Sequence, residues 1–583
     1  MLAIYSSLCG CFVVSMVRAI LFNQNCSDVA FLIILAPSAL LAAILSLLFV
    51  QKQPPYAFWI GAIVSSGPSL FSLLLCVLVL KVKLPAPNAR LMGAINISGV
   101  LALALLVFGV GQVDLNDYWN NKKYSVVTTA DPSASVGADS PNVILVSIDS
   151  WRADTLLEYA DILPNITSLR KKSMWTNSAL AVAPSAVPSH LAILTGDDPL
   201  KNGTRKADGS YRPNAKINTP TVFRLFHDAG FNTLSLIWDT IKFDKSKVAD
   251  GVNIHENFAQ DHPRLRLLRR DFMPGWLSLL PKKYAEGIAL QLFAWRTIDF
   301  NSGVKGVVIG NAPGKINLQR ALGYLQNLHG SPHPYFMFLH FVDLHQPYRS
   351  DLSVRGLMTE KMPWPNEYAS LSADHHDIAN IIRRDLQLGL PHAVDAAKYL
   401  KHIYLEELIY VDSCIGQIIS EANKSNRPTY FLITSDHGEH FGEHSQMAHA
   451  NSLYSETLRV PFIVGGPSIE TKRLENVSIT DVLPTLVELA GIDAPPDISG
   501  NSVFADINEE MHIATSKQEF AIYHQSYKLV VNHGRQLNNP KVWQVVRLCD
   551  IKEDPHELTD LSASRPDTVS ALLLTARSLL QEH

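Results

Sequence analysis

The stretch SDHGEHFGEH (Ser435–His444) sets Asp436 and His437 side by side, just past the apolar run TYFLITSD. Adjacent side chains leave a strand on opposite faces, but beyond its end both can turn onto one cation. NVILVSID (Asn142–Asp149) is another apolar run that ends on a carboxylate, so Asp149, Asp436 and His437 form a candidate Asp–Asp–His metal site. A third run, YFMFLHFVD (Tyr335–Asp343), ends on Asp343, and HFVDLHQPY carries His340 and His345. MAHANSLYSETLRVPF adds His449 ahead of a helix and a strand. Histidines gathered on one rim can grip an anionic ester oxygen or hand a proton to a leaving group. For His340 a turn-capping role fits the sequence equally well. A separate stretch, APSAVPSHLAILTG (Ala183–Gly196), is a turn of small residues feeding an apolar helix. Enzymes often hold a nucleophile in such a turn, with backbone N–H groups facing the substrate.

These groups need strands to deliver them. NTLSLIW (Asn232–Trp238) and VPFIVGG (Val460–Gly466) are further apolar strand candidates. Helical patterns lie between the strands, at Thr219–Gly230 with Pro220 in its first turn, at Leu400–Ala422 and at Thr480–Gly491. Fully apolar strands alternating with helices predict an α/β domain with a mostly parallel sheet covered by helices on both faces. Ligands of such sheets bind beyond the carboxyl ends of the strands, where Asp149, Asp343 and Asp436 stand. Beyond about Ser516, YKLVVNHG and WQVVRLCDIKEDPHE predict a small antiparallel sheet.

The 583-residue chain is too long for one core, and its hydrophobic excess lies at the front. Leu2–Phe22, Val29–Val50, Tyr56–Leu80 and Leu91–Gly111 are nearly uncharged and each close to the roughly 20 residues that cross a bilayer. No basic segment precedes the first stretch, so a cleaved signal peptide does not account for them. The expected organisation is a four-helix transmembrane bundle over 1–113, a polar tether over 114–141, a catalytic domain over 142–515 and a C-terminal subdomain over 516–583. Arg18, Lys81, Lys83 and Arg90 place both ends of the bundle outside the cytoplasm, with the large domain extracytoplasmic. This plan suits a bacterial inner-membrane protein with a periplasmic domain. A net charge of -4 argues against a nucleic-acid partner held by bulk electrostatics. The cysteines form no metal or redox motif; Cys414 and Cys549, the two beyond the bundle, are the one candidate pair there. The segment Arg264–Arg296 mixes basic and aromatic residues and reads either as an interfacial segment on the bilayer or as an amphipathic helix packed on its own domain.

From Asn142 to the C-terminus the chain resembles the sulfatase branch of the alkaline phosphatase superfamily. NVILVSIDSWRADTL, LPNITSLRKKSMWTNSALAVAPSAVPSHLAILTG, PYFMFLHFVDLHQPY, TYFLITSDHGEHFGEH, LYSETLRVPFIV and ITDVLPTLVELAGI follow in family order, and LCDIKEDPHELTDLSA resembles the closing segment. The resemblance implies an alkaline-phosphatase-like fold and one divalent ion held by Asp149, Asp436 and His437. It further implies that His345 and His449 grip the anionic group and assist the leaving group.

Three departures stand out. Ser150 occupies the place of a second aspartate that the family often has. His437 replaces an asparagine, which moves metal preference from calcium toward zinc or manganese, with calcium as the alternative. Counting back from Pro188 and Ser189, the family's nucleophile position falls on Ala186, and His190 replaces the usual arginine. Ser185 is the nearest hydroxyl, one residue off register, and Ser189 is the next. Three readings follow: a membrane-anchored, metal-dependent hydrolase of sulfate or phosphate esters, in which Ser185 or metal-activated water attacks; a degenerate pseudoenzyme that binds or regulates; and a phosphoalcohol transferase acting on lipid or glycan. In each the ligand is an anionic ester at or near the bilayer surface.

Overall fold

The computed structural model describes residues 140–581, apart from 205–218, 239–247, 259–297, 300–307, 310–312, 349–350, 352, 370, 372–376, 450–451, 506–510, 535 and 538. The four apolar stretches, nearly all of the tether and the Arg264–Arg296 segment lie outside the described residues. Among the described residues no helix is long and apolar enough to cross a membrane. Apart from Ile298, they all belong to one compact unit, Trp119–Asp261 with Asp299–His583.

The sheet is built from β1 (Asn142–Ile148), β2 (Ser173–Leu180), β3 (Asn232–Ile237), β4 (Ile254–Asn257), β5 (Tyr335–Phe341), β6 (Thr429–Thr434), β7 (Arg459–Gly465) and β8 (Lys472–Arg473). Their order across the sheet is β8-β2-β7-β6-β1-β5-β3-β4. All pairings are parallel except those of β7, which runs against both β2 and β6. The sheet is therefore mixed, with one reversed strand in an otherwise parallel array. Every residue of β1 and β5 is buried, as expected of central strands covered on both faces.

The covering helices are α1 (Pro164–Arg170), α2 (Ala186–Thr195), α3 (Val222–Asp228), α4 (Pro313–Leu328), α5 (Ile378–Gln387), α6 (Pro391–Ala422) and α7 (Val482–Ala490). On one face Leu191 and Leu194 of α2, Phe223 and Phe226 of α3 and Leu483 and Leu486 of α7 meet Val143 and Leu145 of β1 in a continuous core. Each such side chain contributes roughly 1.5–3 kcal/mol by leaving water. The long α6 buries a stripe at Leu400, Tyr404, Leu408, Val411, Ile415 and Ile418, which has helical spacing. Thr221, not Thr219, caps α3, its hydroxyl accepting from the Arg224 N–H; the Thr219–Pro220 pair stays outside the helix.

The C-terminal sheet runs β9 (His512–Thr515), β10 (Glu519–His524), β11 (Tyr527–Asn532) and β12 (Gln544–Asp550), all antiparallel. Helix α8 (Pro566–Gln581) closes it, with Leu572 and Ala576 packed on Phe520, Ile522 and Leu548. Cys414 and Cys549 are both buried free thiols, so the candidate pair is not a disulfide.

Candidate metal centre

Strand β1 delivers the first carboxylate. The Asp149 N–H still donates to the Phe341 carbonyl of β5 (2.8 Å), so the ladder fixes where this side chain leaves the sheet. Ser150 then adopts a left-handed backbone, φ 61°, unusual for a residue with a Cβ. Its N–H donates to Asp436 Oδ1 (3.2 Å), its hydroxyl to Asp149 Oδ1 (2.9 Å), and its carbonyl accepts from the Tyr404 hydroxyl (3.0 Å). The serine at the departure position thus ties the two carboxylates together. A turn held in a sparsely populated conformation is often a functional one.

Strand β6 delivers the second carboxylate and an imidazole. Ser435 Oγ donates to the His437 carbonyl (2.7 Å) and accepts from the Trp151 N–H (2.9 Å), while the His437 N–H donates to Asp436 Oδ1 (2.9 Å). Next comes Gly438, where a Cβ would meet the Glu456 carbonyl oxygen at 2.1 Å. His437 Nδ1 lies 3.0 Å from the Gly438 carbonyl, which places the ring proton there and leaves Nε2 with its lone pair.

That Nε2 lies 3.8 Å from Asp149 Oδ1 and 3.4 Å from Asp436 Oδ2. Asp149, Asp436 and His437 are the group of described residues whose ligand atoms all fall within 4.8 Å of one another. Asp149 Oδ2, Asp436 Oδ2 and His437 Nε2 are buried with no hydrogen-bond partner. Each such orphan costs about 1–3 kcal/mol, and here they converge. Two carboxylates and a neutral imidazole fit a divalent cation.

The electrostatics agree with that fit. Burial opposes charge on Asp149, but the nearby histidines, His345 foremost, prevail and hold its carboxyl well below the usual range. Burial, with Asp149 alongside, pushes Asp436 well above it. Two carboxyls in one dry site do not both stay charged without a cation between them. Burial and then His449 bring His437 down to about 4, and burial and then His345 bring His449 down to about 3.

The other histidines divide into two sets. His449 and His345 meet at 4.8 Å between ring centroids, and His449 meets His437 at 4.3 Å. Behind His449 is Glu439, fully buried, with Oε1 3.2 Å from Nδ1. Burial raises Glu439 to about 7 against the pull of His345 and His437. Sequence reasoning missed Glu439, although it follows His437 by two residues; its partner lies across a loop with no local pattern to announce it. His190 and His340 form the second set, on the core side. His190 is fully buried, with Nε2 3.0 Å from Ser147 Oγ and Nδ1 2.9 Å from the Ala186 carbonyl. His340 lies beside Ser147 in the β1–β5 register, and its ring meets that of His190 edge-on.

Helix α2 begins at Ala186, with Ser185 as its extended N-cap. Ser189 is fully buried and its hydroxyl donates to the Ala183 carbonyl (2.9 Å). Asp343 does not join the cluster: its Oδ1 accepts from the Gly314 N–H (2.8 Å) at the start of α4, and burial raises it to about 7.

The sequence pattern of the family described as Sulfatase matches residues 141–492, and that of the N-sulphoglucosamine sulphohydrolase C-terminal region matches 442–577. Arylsulfatase K of Bos taurus is 28% identical over 203 residues, a match covering 31% of this chain and 37% of that protein. Two solved structures share the fold. One is a protein in complex with its substrate D-glucosamine-2-N,6-O-disulfate, with a TM-score of 0.54 and 17% identity over 76% of this chain and 98% of that one. The other is the phosphonate monoester hydrolase of Silicibacter pomeroyi, with a TM-score of 0.53 and 17% identity over 76% of this chain and 95% of that one.

Proposed function

This chain belongs to the sulfatase family, and from that premise we propose that it is a metal-dependent hydrolase of sulfate or phosphate-type esters. The observation that carries the reading is the convergence of three buried, unpartnered ligand atoms from Asp149, Asp436 and His437. When bound, a divalent cation neutralises ester oxygens and lowers the pKa of an attacking oxygen. Zinc or manganese suits the imidazole ligand better than calcium does. Ser150 holds the two carboxylates in register, and His190 backs Asp436. Glu439 accepts from His449 Nδ1–H, which leaves the Nε2 lone pair of His449 to take the proton of the attacking oxygen. The imidazolium so formed, paired with Glu439, passes that proton to the leaving oxygen, while His345 grips the anionic group. The attacking oxygen is that of Ser185 or of water, since the Ala186 methyl cannot attack. The disulfated glucosamine bound by a fold neighbour supports an anionic sugar ester as substrate class, and the phosphonate hydrolase neighbour supports a phosphorus ester. The apolar stretches of 1–113 anchor the protein in a bacterial inner membrane, with this domain on the periplasmic side.

Ala186 itself favours a second reading, a pseudoenzyme that binds anionic esters without turning them over. Assaying the full-length protein in detergent with aryl sulfate, phosphate monoester and phosphodiester decides between them. Metal-dependent turnover that is lost in Asp436→Asn is expected of the hydrolase. Ester binding without turnover under zinc, manganese or calcium would leave the pseudoenzyme.

A further inference from the structure

Five fully buried side chains close a ring around the cluster. His340 Nε2 faces Asp149 Oδ2 at 3.6 Å, Asp149 Oδ1 faces His437 Nε2 at 3.8 Å, and His437 Nε2 faces Asp436 Oδ2 at 3.4 Å. Asp436 Oδ2 faces His190 Nδ1 at 3.4 Å, and the rings of His190 and His340 meet at 4.4 Å between centroids.

The two core-side imidazoles differ in one respect that matters. Both nitrogens of His190 are occupied, its Nδ1–H by the Ala186 carbonyl and its Nε2 lone pair by the Ser147 hydroxyl, so that lone pair is already engaged. Neither nitrogen of His340 has a partner at ordinary hydrogen-bond distance, although the residue is fully buried; Nε2 has only its 3.6 Å approach to Asp149 Oδ2. Every neutral imidazole carries one N–H and one lone pair, and strand pairing holds this one in the sheet interior. The polar atom it faces, Asp149 Oδ2, is itself unpartnered. Ligand bonds of about 2.0–2.1 Å in a tetrahedral site put neighbouring ligand atoms roughly 3.4 Å apart. The separation of His340 Nε2 from Asp149 Oδ2 is close to that.

We propose that His340 is a fourth protein ligand, making the site Asp149, Asp436, His437 and His340, with His190 orienting Asp436 from outside. The inference rests on the metal-dependent reading above. His340 stands outside the three-residue group whose ligand atoms fall within 4.8 Å of one another, so ligation requires its ring to move in from the Asp149 side while β5 stays paired. A second imidazole shifts selectivity further from calcium toward zinc.

The test uses full-length protein in detergent, stripped of metal and reloaded with zinc. X-ray absorption at the zinc edge counts imidazole ligands, and two are expected, from His437 and His340. His340→Gln is expected to lose one of them and to weaken zinc, measured against a competing chelator, by at least about 10-fold. His190→Gln is expected to keep both. One imidazole in the unmodified protein overturns the inference whether or not His340→Gln folds, as does unchanged zinc affinity in a folded His340→Gln. Failure of the unmodified protein to bind zinc, manganese or calcium would instead overturn the metal-dependent reading, and the inference with it.

Discussion

Nδ1 of His449 lies 3.2 Å from Oε1 and 3.3 Å from Oε2 of Glu439, so a fully buried carboxylate fixes both the tautomer and the orientation of the imidazole. If His449 protonates the leaving oxygen, its loss matters most for poor leaving groups. His449→Ala should slow alkyl esters by about 10²–10⁴-fold and activated aryl esters far less. Glu439→Gln should show the same leaving-group dependence in milder form. A series of esters graded by leaving-group pKa checks this, and equal losses across the series would remove His449 from that role.

Ala186 occupies the first position of α2, one turn before His190. Ala186→Thr should create or raise turnover on aryl sulfate or phosphate-type esters. Burst kinetics on an aryl ester would show whether the new hydroxyl forms a covalent intermediate. No gain, with metal bound, would mean that more than a nucleophile separates this site from an active hydrolase.

Gly438 joins His437 to Glu439 and donates its N–H to the Thr457 carbonyl (2.9 Å). Gly438→Ala drives a methyl group into the Glu456 carbonyl. The expected cost is about 1–3 kcal/mol, as for other overpacked interiors, seen as a lower Tm together with weaker metal binding.

Glu557 accepts from Lys528 Nζ (2.6 Å), Arg547 Nε (3.2 Å) and both the N–H and hydroxyl of Ser455 (2.8 and 2.6 Å), tying the C-terminal sheet to the loop that follows His449. Burial opposes its charge, but Lys528 and then Arg547 prevail and hold it at about 2. An unfolded chain therefore takes up this proton first as pH falls. The contribution is complete above about pH 4.5 and is lost toward pH 2, to a total of about 3 kcal/mol. Denaturant titrations between pH 6 and pH 3 should show a steeper loss in wild type than in Glu557→Gln.

Asp436 holds its proton more tightly than an ordinary carboxyl because it is buried and Asp149 adjoins it. Metal binding should therefore release a proton at a pH where free carboxyl groups are already ionised. Calorimetry in buffers of different ionisation enthalpy reads that number directly. Asp436→Asn should abolish both the release and high-affinity binding, and a metal uptake independent of buffer would contradict this assignment.

What the sequence reveals follows from where the information is local. Asp149 and Asp436–His437 are legible because each ends an apolar run, although that signal alone does not decide, since Asp343 ends another and is spent on the Gly314 N–H. The inward aim of His340 is not legible, because a strand buried on both faces shows no alternation to say which way a residue points. Glu439 escapes for another reason: its partner His449 is reached only when the chain folds back on itself. VPFIVGG is readable as a strand, but its direction depends on the connection before it. Among its described residues that connection contains a two-stranded ribbon (His440–Phe441 with Met447–Ala448), the turn Glu443–Ser445 and the single helical turn Ser455–Leu458 but no crossover helix, so β7 enters reversed.

The reversal of β7 bears on how this protein could change over time. The chain leaves β6 and re-enters through its antiparallel neighbour β7 at the same end of the strands, so the intervening segment, 435–458, is inserted between two strands already paired to each other. His437, Glu439 and His449 all travel in it. Its half-exposed part, around 442–446, can change without shifting the register of the strands beneath, provided the buried stretch from Ser435 to His440 and the anchor to Glu557 are kept. A change in what the site accepts can thereby be confined to one segment between two paired strands.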